Sequence, residues 1–333
     1  MSINASFEKS IADFPRQLGY QELAFSHLEA LREHSYDSVI FLGIGGSALA
    51  AEIVQSMRNE IGLSMPIVIW KDYGLPPEAK RFARPLFIAV SFSGNTAEPL
   101  SGTGMLLRKY RGRKRHRIAV IASGGALLET ALRHDLPLVR FSGEGLQPRQ
   151  GTGFMFYSVC AILRAAHLIP RPVPDCNHLS SRAFRGAGMR LAHMAKDRLI
   201  VIYSEEATRF IGYLWKIRCN ENGKTPAFNN VVPEMEHNEI VGFEGKRFPA
   251  AALFLGEEQF SKALARQTNI VKKILARYRV RAASVPLSGK TLLEQTWNAV
   301  MRADWFSYFL AVQQGVNPRE IRVVDELKKE LRK

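Results

Sequence analysis

Ser38-Val39-Ile40-Phe41-Leu42-Gly43-Ile44-Gly45-Gly46-Ser47-Ala48-Leu49 is a short apolar run that breaks into a glycine-rich turn and resumes as a helical pattern. A continuously apolar run of that length suits a strand buried on both faces, which is how strands of parallel sheets read. Glycines in the turn let the backbone approach a ligand closely, and the amides opening the next helix can hold an anion. The spelling is not the GxGxxG dinucleotide fingerprint, because position 48 is Ala and Asp72, after Trp70-Lys71, comes too late for a ribose contact. Taken alone, the turn fits tight packing between strand and helix as well as it fits a ligand site.

The same alternation extends outward on both sides. Further strands are predicted at Ile67–Trp70, Leu86–Ser91, Ile118–Ile121 and Leu138–Phe141, with helices at Ala48–Met57, Ala97–Lys109, Ala126–Leu132 and Phe154–His167. Strands separated by helices make parallel βαβ units, so the first half reads as a doubly wound α/β domain preceded by a helical segment. Leu168-Ile169-Pro170-Arg171-Pro172-Val173-Pro174-Asp175 admits neither a helix nor a central strand. That stretch divides the chain into expected domains 1–168 and 169–333. The second repeats the scheme, with strands at Leu199–Tyr203, Ala250–Leu255 and Val280–Val285 and helices at Phe210–Asn220, Glu258–Tyr278 and Leu292–Gln314. A basic helix, Val324–Arg332, closes it.

A length of 333 residues matches two domains of about 100–200 residues each. Hydrophobic residues at 46% and charged residues at 23% exclude a disordered or fibrous chain. No apolar stretch approaches the roughly 18 residues of a membrane span, and Met1–Pro15 has no signal core, so a cytoplasmic protein is expected. Cys160, Cys176 and Cys219 stand in no metal-ligand spacing, so neither a zinc site nor a disulfide framework is expected. The excess of 46 Lys and Arg over 31 Asp and Glu leaves a net charge of +15, a field that draws in anions. Seven Lys or Arg fall between Arg108 and Arg117. With little aromatic interleaving, that run reads as a solvated helix end and turn before nucleic-acid binding.

The third strand ends in Ser91-Phe92-Ser93-Gly94-Asn95-Thr96-Ala97-Glu98. Three hydroxyls and a glycine stand where a strand's carboxyl end meets a helix, the edge at which open α/β sheets bind ligands. Neutral donors without a fixed lysine suit a phosphate monoester, whereas an NTPase loop carries its lysine. Capping of the helix by Ser93 or Thr96 would use one of these hydroxyls.

Together, Gly43-Ile44-Gly45-Gly46-Ser47 and Ser91-Phe92-Ser93-Gly94-Asn95-Thr96 resemble the two turns of the sugar isomerase (SIS) domain. Asn220-Glu221-Asn222-Gly223-Lys224, Pro233-Glu234-Met235-Glu236-His237-Asn238, Gly315-Val316-Asn317-Pro318 and Asp325-Glu326-Leu327-Lys328 extend the likeness, in order, to the bifunctional phosphoglucose/phosphomannose isomerase family. The resemblance implies two SIS-type doubly wound parallel-sheet domains flanked by helices, a homodimer, and no metal or organic cofactor. It further implies aldose–ketose isomerisation of a sugar 6-phosphate through a cis-enediol(ate), with no membrane or nucleic-acid partner.

Carried over by position, Gly46, Ser47, Ser91, Ser93 and Thr96 would hold the phosphate. Glu221 would be the base that moves a proton between C1 and C2, a task for one carboxylate poised over adjacent carbons. Arg149, in Gln147-Pro148-Arg149-Gln150-Gly151, would stabilise enediolate charge. His237 would open the sugar ring from the neighbouring subunit, with Lys328 assisting. After Gly315-Val316-Asn317-Pro318 the family often carries Thr-Pro where this chain has Ile321-Arg322. The threonine is associated with room for either C2 epimer, so the departure bears on mannose 6-phosphate and less on glucose 6-phosphate. The alternatives are a non-catalytic SIS phosphosugar sensor and an amino-sugar phosphate isomerase.

Overall fold

The computed structural model describes residues 3–110, 112–245 and 248–330, apart from the side chains at positions 3, 4, 113 and 328. In chain order the first elements are α1 (Ile3–Ala12), β1 (Leu23–Ser26), β2 (Ser38–Leu42), α2 (Gly46–Ser56), β3 (Ile67–Trp70), β4 (Pro85–Ser91) and α3 (Ala97–Lys109). Next come β5 (Ile118–Ala122), α4 (Gly125–Arg133), β6 (Leu138–Phe141), α5 (Thr152–Ala165), α6 (Arg185–Ala195), β7 (Leu199–Glu205) and α7 (Arg209–Glu221). β8 (Ala227–Val232), β9 (Ala250–Leu255), α8 (Lys262–Arg277), β10 (Arg281–Val285), α9 (Leu292–Gln314) and α10 (Arg322–Glu330) complete the chain. Two units result: Phe14–His178, and the described parts of Met1–Asp13 with Leu179–Lys333.

In Phe14–His178 the sheet order is β1-β6-β5-β4-β2-β3. β2 through β6 run parallel, and β2, β4 and β5 are buried at every residue, as their unbroken apolar sequences require. The strand order reverses direction between β2 and β4, which pair from Ser38↔Pro85 to Leu42↔Ala89. The glycine turn and the serine turn therefore leave from neighbouring strand ends at the switch point of the sheet. β1 is an antiparallel edge strand on β6, a departure from the all-parallel expectation. Its four residues, Leu-Ala-Phe-Ser, are too short to show a period, which is why the sequence does not reveal it.

The second unit has a four-stranded parallel sheet in the order β10-β9-β7-β8. β8 is not expected from the sequence. Asn229 and Asn230 interrupt its apolar pattern, and these residues read as a loop after Glu221. α6 is likewise unexpected, and α9 is the long central helix, buried from Trp297 through Ala311 except at Asn298 and Arg302.

The unit boundaries differ from the expected 168/169 division at both ends. The proline stretch stays with the first unit: Tyr157 Oη donates to Pro174 O at 2.8 Å and Cys176 N to Leu18 O at 2.8 Å, with Val173 and Cys176 buried. Proline ends the helix, but its neighbours still bury apolar area on the domain they leave. α1 instead joins the second unit, where fully buried Phe7 stacks on Tyr308 at 6.1 Å and Glu8 pairs with Arg185 at 2.9 Å.

The basic run ends α3 and forms a 3-10 turn, Gly112–Arg117, that leads into β5; Arg111 and the side chain of Arg113 lie outside the described residues. Cys160, Cys176 and Cys219 are buried and form no disulfide, and burial pushes the Cys160 and Cys219 thiols far up, away from the reactive thiolate form. Among the described residues no helix is long and apolar enough to cross a membrane, and no three His, Cys, Asp or Glu converge as a metal site would require.

Candidate functional site

At the switch point of the first sheet three turns meet. Gly43 N donates to Trp70 O at 3.1 Å, and the chain enters α2 through Gly46 and Ser47. A Cβ on Gly46 would lie 3.2 Å from Arg149 Cα and 3.4 Å from Arg149 N, tighter than ordinary contact. That close approach seats the turn carrying Arg149 against the start of α2. Ser47, buried, accepts from Phe92 N at 3.2 Å and so links the β2 turn to the β4 turn.

The serine turn is built around Ser91, which is fully buried. Its Oγ accepts from Gly94 N at 3.0 Å and faces Thr96 Oγ1 at 2.9 Å. Gly94 has φ +70°, and a Cβ there would fall 1.7 Å from Gly124 O, so no other residue fits. Ser93, exposed, accepts from Asn95 N at 3.3 Å. Two of the hydroxyls thus shape the turn itself. Thr96, at the N-cap of α3, makes no capping bond to its own helix, and α2 likewise has no side-chain cap at Gly45. Helix N-termini and neighbouring hydroxyls of this kind are chemically suited to an anion.

Arg149 sits in a 3-10 turn, Pro148–Gly151, fixed by a capping box in which Gln147 and Gln150 exchange side-chain bonds. It is 1% exposed, an unusual place for a guanidinium and unlike the solvated loop arginine that composition suggests. The structure thus brings Gly46, Ser47, Ser91, Thr96 and Arg149 together, with Ser93 on the exposed side of its turn.

In the second unit, Glu221 is the last residue of α7, half-buried, and lines a cleft of about 720 Å³ with Asn220, Lys224, Asn317, Ile321 and Val324. A row on α9 fixes this helix end. Arg218 Nε donates to Asp304 at 2.5 Å, both almost fully buried, and Asn222 Nδ2 donates to Ser307 Oγ at 3.1 Å. Gln314 Nε2 donates to Gly223 O and Thr225 Oγ1, each at 2.8 Å. Sequence reasoning does not single out Asp304, Ser307 or Gln314. They are polar residues spaced along one helix face, a pattern that reads as ordinary amphipathicity until the partner is known.

His237 ends a 3-10 turn, Glu234–His237, anchored by buried Met235; it is exposed and is not among the residues lining the Glu221 cleft. The following Glu239 is held by Tyr203 Oη at 3.0 Å and Asn230 Nδ2 at 2.8 Å, which ties this excursion to β7 and β8. Lys328 falls on α10, and its side chain lies outside the described residues.

Residues 185–331 match the model of the bacterial phospho-glucose isomerase C-terminal SIS domain. Over these residues the chain is similar to that family. The matched stretch includes Glu221, His237, Ile321 and Lys328. Likeness continues beyond it: a bifunctional phosphoglucose/phosphomannose isomerase of Aquifex aeolicus is 29% identical over 300 residues, 90% of this chain and 91% of that protein. A D-glucosamine-6-phosphate 4-epimerase of Sulfolobus acidocaldarius is 25% identical over 303 residues, 88% of each chain. Among solved structures, a hypothetical protein from Thermus thermophilus superposes with a TM-score of 0.74 at 18% identity, covering 98% of this chain and 90% of that one. At that identity the superposition speaks for the fold alone.

Proposed function

We propose that the chain is an aldose–ketose isomerase that interconverts glucose 6-phosphate and fructose 6-phosphate. The observation that carries this reading is a half-buried carboxylate, Glu221, on the wall of a cleft within the stretch similar to the phosphoglucose isomerase SIS domain. Hydroxyls and amides of Gly46, Ser47, Ser91, Ser93 and Thr96 take the phosphate, which anchors the substrate so that its carbon chain is presented in one register. Glu221 removes the proton from C2 of the aldose and returns it to C1. Lys328 assists ring opening. The test is turnover of fructose 6-phosphate by purified protein, read as glucose 6-phosphate through a coupled dehydrogenase; a folded protein that binds the sugar phosphate without turnover would be a sensor instead. A glucosamine 6-phosphate arm covers the amino-sugar reading that the Sulfolobus relative favours.

Ile321 lines the same cleft as Glu221. A branched apolar side chain there leaves no partner for a C2 hydroxyl, so mannose 6-phosphate should turn over more slowly than glucose 6-phosphate. Ile321→Thr should raise the mannose-to-glucose ratio of kcat/KM by about tenfold, the scale of one altered pocket contact. An unchanged ratio would remove Ile321 from the epimer choice.

His237, exposed and away from the Glu221 cleft, acts in this reading on the substrate of a second subunit. Mixing Glu221→Gln with His237→Ala protein in equal amounts under subunit exchange should restore about a quarter of wild-type activity, since half the dimers are mixed and one site in each is intact. Demonstrated exchange with no recovery would place the histidine in its own subunit's chemistry or outside it.

A further inference from the structure

Lys224 has φ +49°, in the left-handed region. It stands where the chain turns away from α7: Gly223 N bonds Arg218 O at 3.2 Å and Thr225 N bonds Cys219 O at 3.1 Å across it. That position past a helix end ordinarily goes to glycine, because a Cβ is strained there. In this chain glycine comes one residue earlier and a lysine accepts the strain. Its ammonium donates to the carbonyl of Glu221 and reaches Pro318 O at 3.5 Å. Glu221 ends α7, and Pro318 lies between Asn317 and Ile321, which line the same cleft as Glu221. Lys224 itself lines the cleft. Capping of last-turn carbonyls by a lysine is common and accounts for the first contact. It accounts neither for the lysine's own left-handed backbone nor for the second contact.

We propose that Lys224 is a positioning residue for Glu221, its ammonium tying the end of α7 to the Pro318 turn and so fixing the base against the wall that holds the substrate's carbons. The proposal rests on Glu221 being the base.

Lys224→Gly separates this role from a structural one, because it removes the ammonium and relieves the backbone at once. The expected result is a melting temperature equal to or above that of the parent and a kcat on fructose 6-phosphate lower by about tenfold or more, with KM within about threefold. Lys224→Arg, which keeps a charged donor of similar reach, should recover part of kcat. Glu221→Gln is measured in the same assay. Lys224→Gly at parental kcat beside an inactive Glu221→Gln overturns the proposal and leaves the base in place. A loss of kcat that comes with a lowered melting temperature and no recovery in Lys224→Arg also overturns it. An active Glu221→Gln removes the base reading and the proposal with it.

Discussion

Replacing Glu221 by glutamine will lower kcat for fructose 6-phosphate by about 10³-fold or more, within the range that a positioned general base contributes, while KM stays within a few fold. Glutamine keeps the shape and the hydrogen-bonding reach of the side chain but takes no proton. The phosphate contacts proposed for Ser47, Ser91 and Thr96 are untouched by the change, so binding should survive. The α7 end should also survive, since the bonds from Arg218, Asn222, Gly223 and Thr225 to α9 do not involve the Glu221 carboxylate. Exchange of the C2 hydrogen of glucose 6-phosphate with solvent deuterium, followed by NMR, reads the proton transfer directly and should fall in parallel. A Glu221→Gln protein that keeps a tenth of wild-type turnover would mean that the proton is moved by another group.

Asp304→Ala will destabilise the fold by about 3–5 kcal/mol, the cost of leaving a buried charge without its partner. Arg218 and Asp304 have side-chain exposures of 0% and 4%, so water cannot replace the lost carboxylate. The pair itself contributes much less than that figure, because taking both charges out of water offsets most of their attraction. The double change Arg218→Met with Asp304→Leu should therefore unfold in urea at or above the wild-type midpoint. Its kcat should still fall, because two apolar side chains hold α7 on α9 without the directional bond that sets the rotation of the helix end bearing Glu221. A single Asp304→Ala costing less than about 1 kcal/mol would show that Arg218 finds another counter-charge when Asp304 is absent.

Most of the sheet is legible in the sequence, since a central parallel strand announces itself by an unbroken apolar run and its crossover by a helix-length gap. The glycine turn and the serine turn are legible for a related reason: glycines and hydroxyls clustered at the end of such a run either turn the chain tightly or face a ligand. β1 and β8 are not legible. A four-residue edge strand has no measurable period, and Asn229-Asn230 belongs in a sheet only because β7 lies beside it, with Ile202↔Asn229 and Tyr203↔Asn230 in register.

Local chemistry thus carried the α/β class, the two turns and the family likeness, with Glu221 placed at a helix end, because each depends on residues close together in the chain. Three things depended on residues far apart: the attachment of α1 to the second unit through Phe7 and Tyr308, the burial of Arg149, and the clamp of α9 on the Glu221 turn. Arg218 meets Asp304 across 86 positions and Gln314 reaches Gly223 across 91. A polar residue's partner at such a separation is chosen by packing of whole helices, whose free energy is a sum over the core and is written in no single motif.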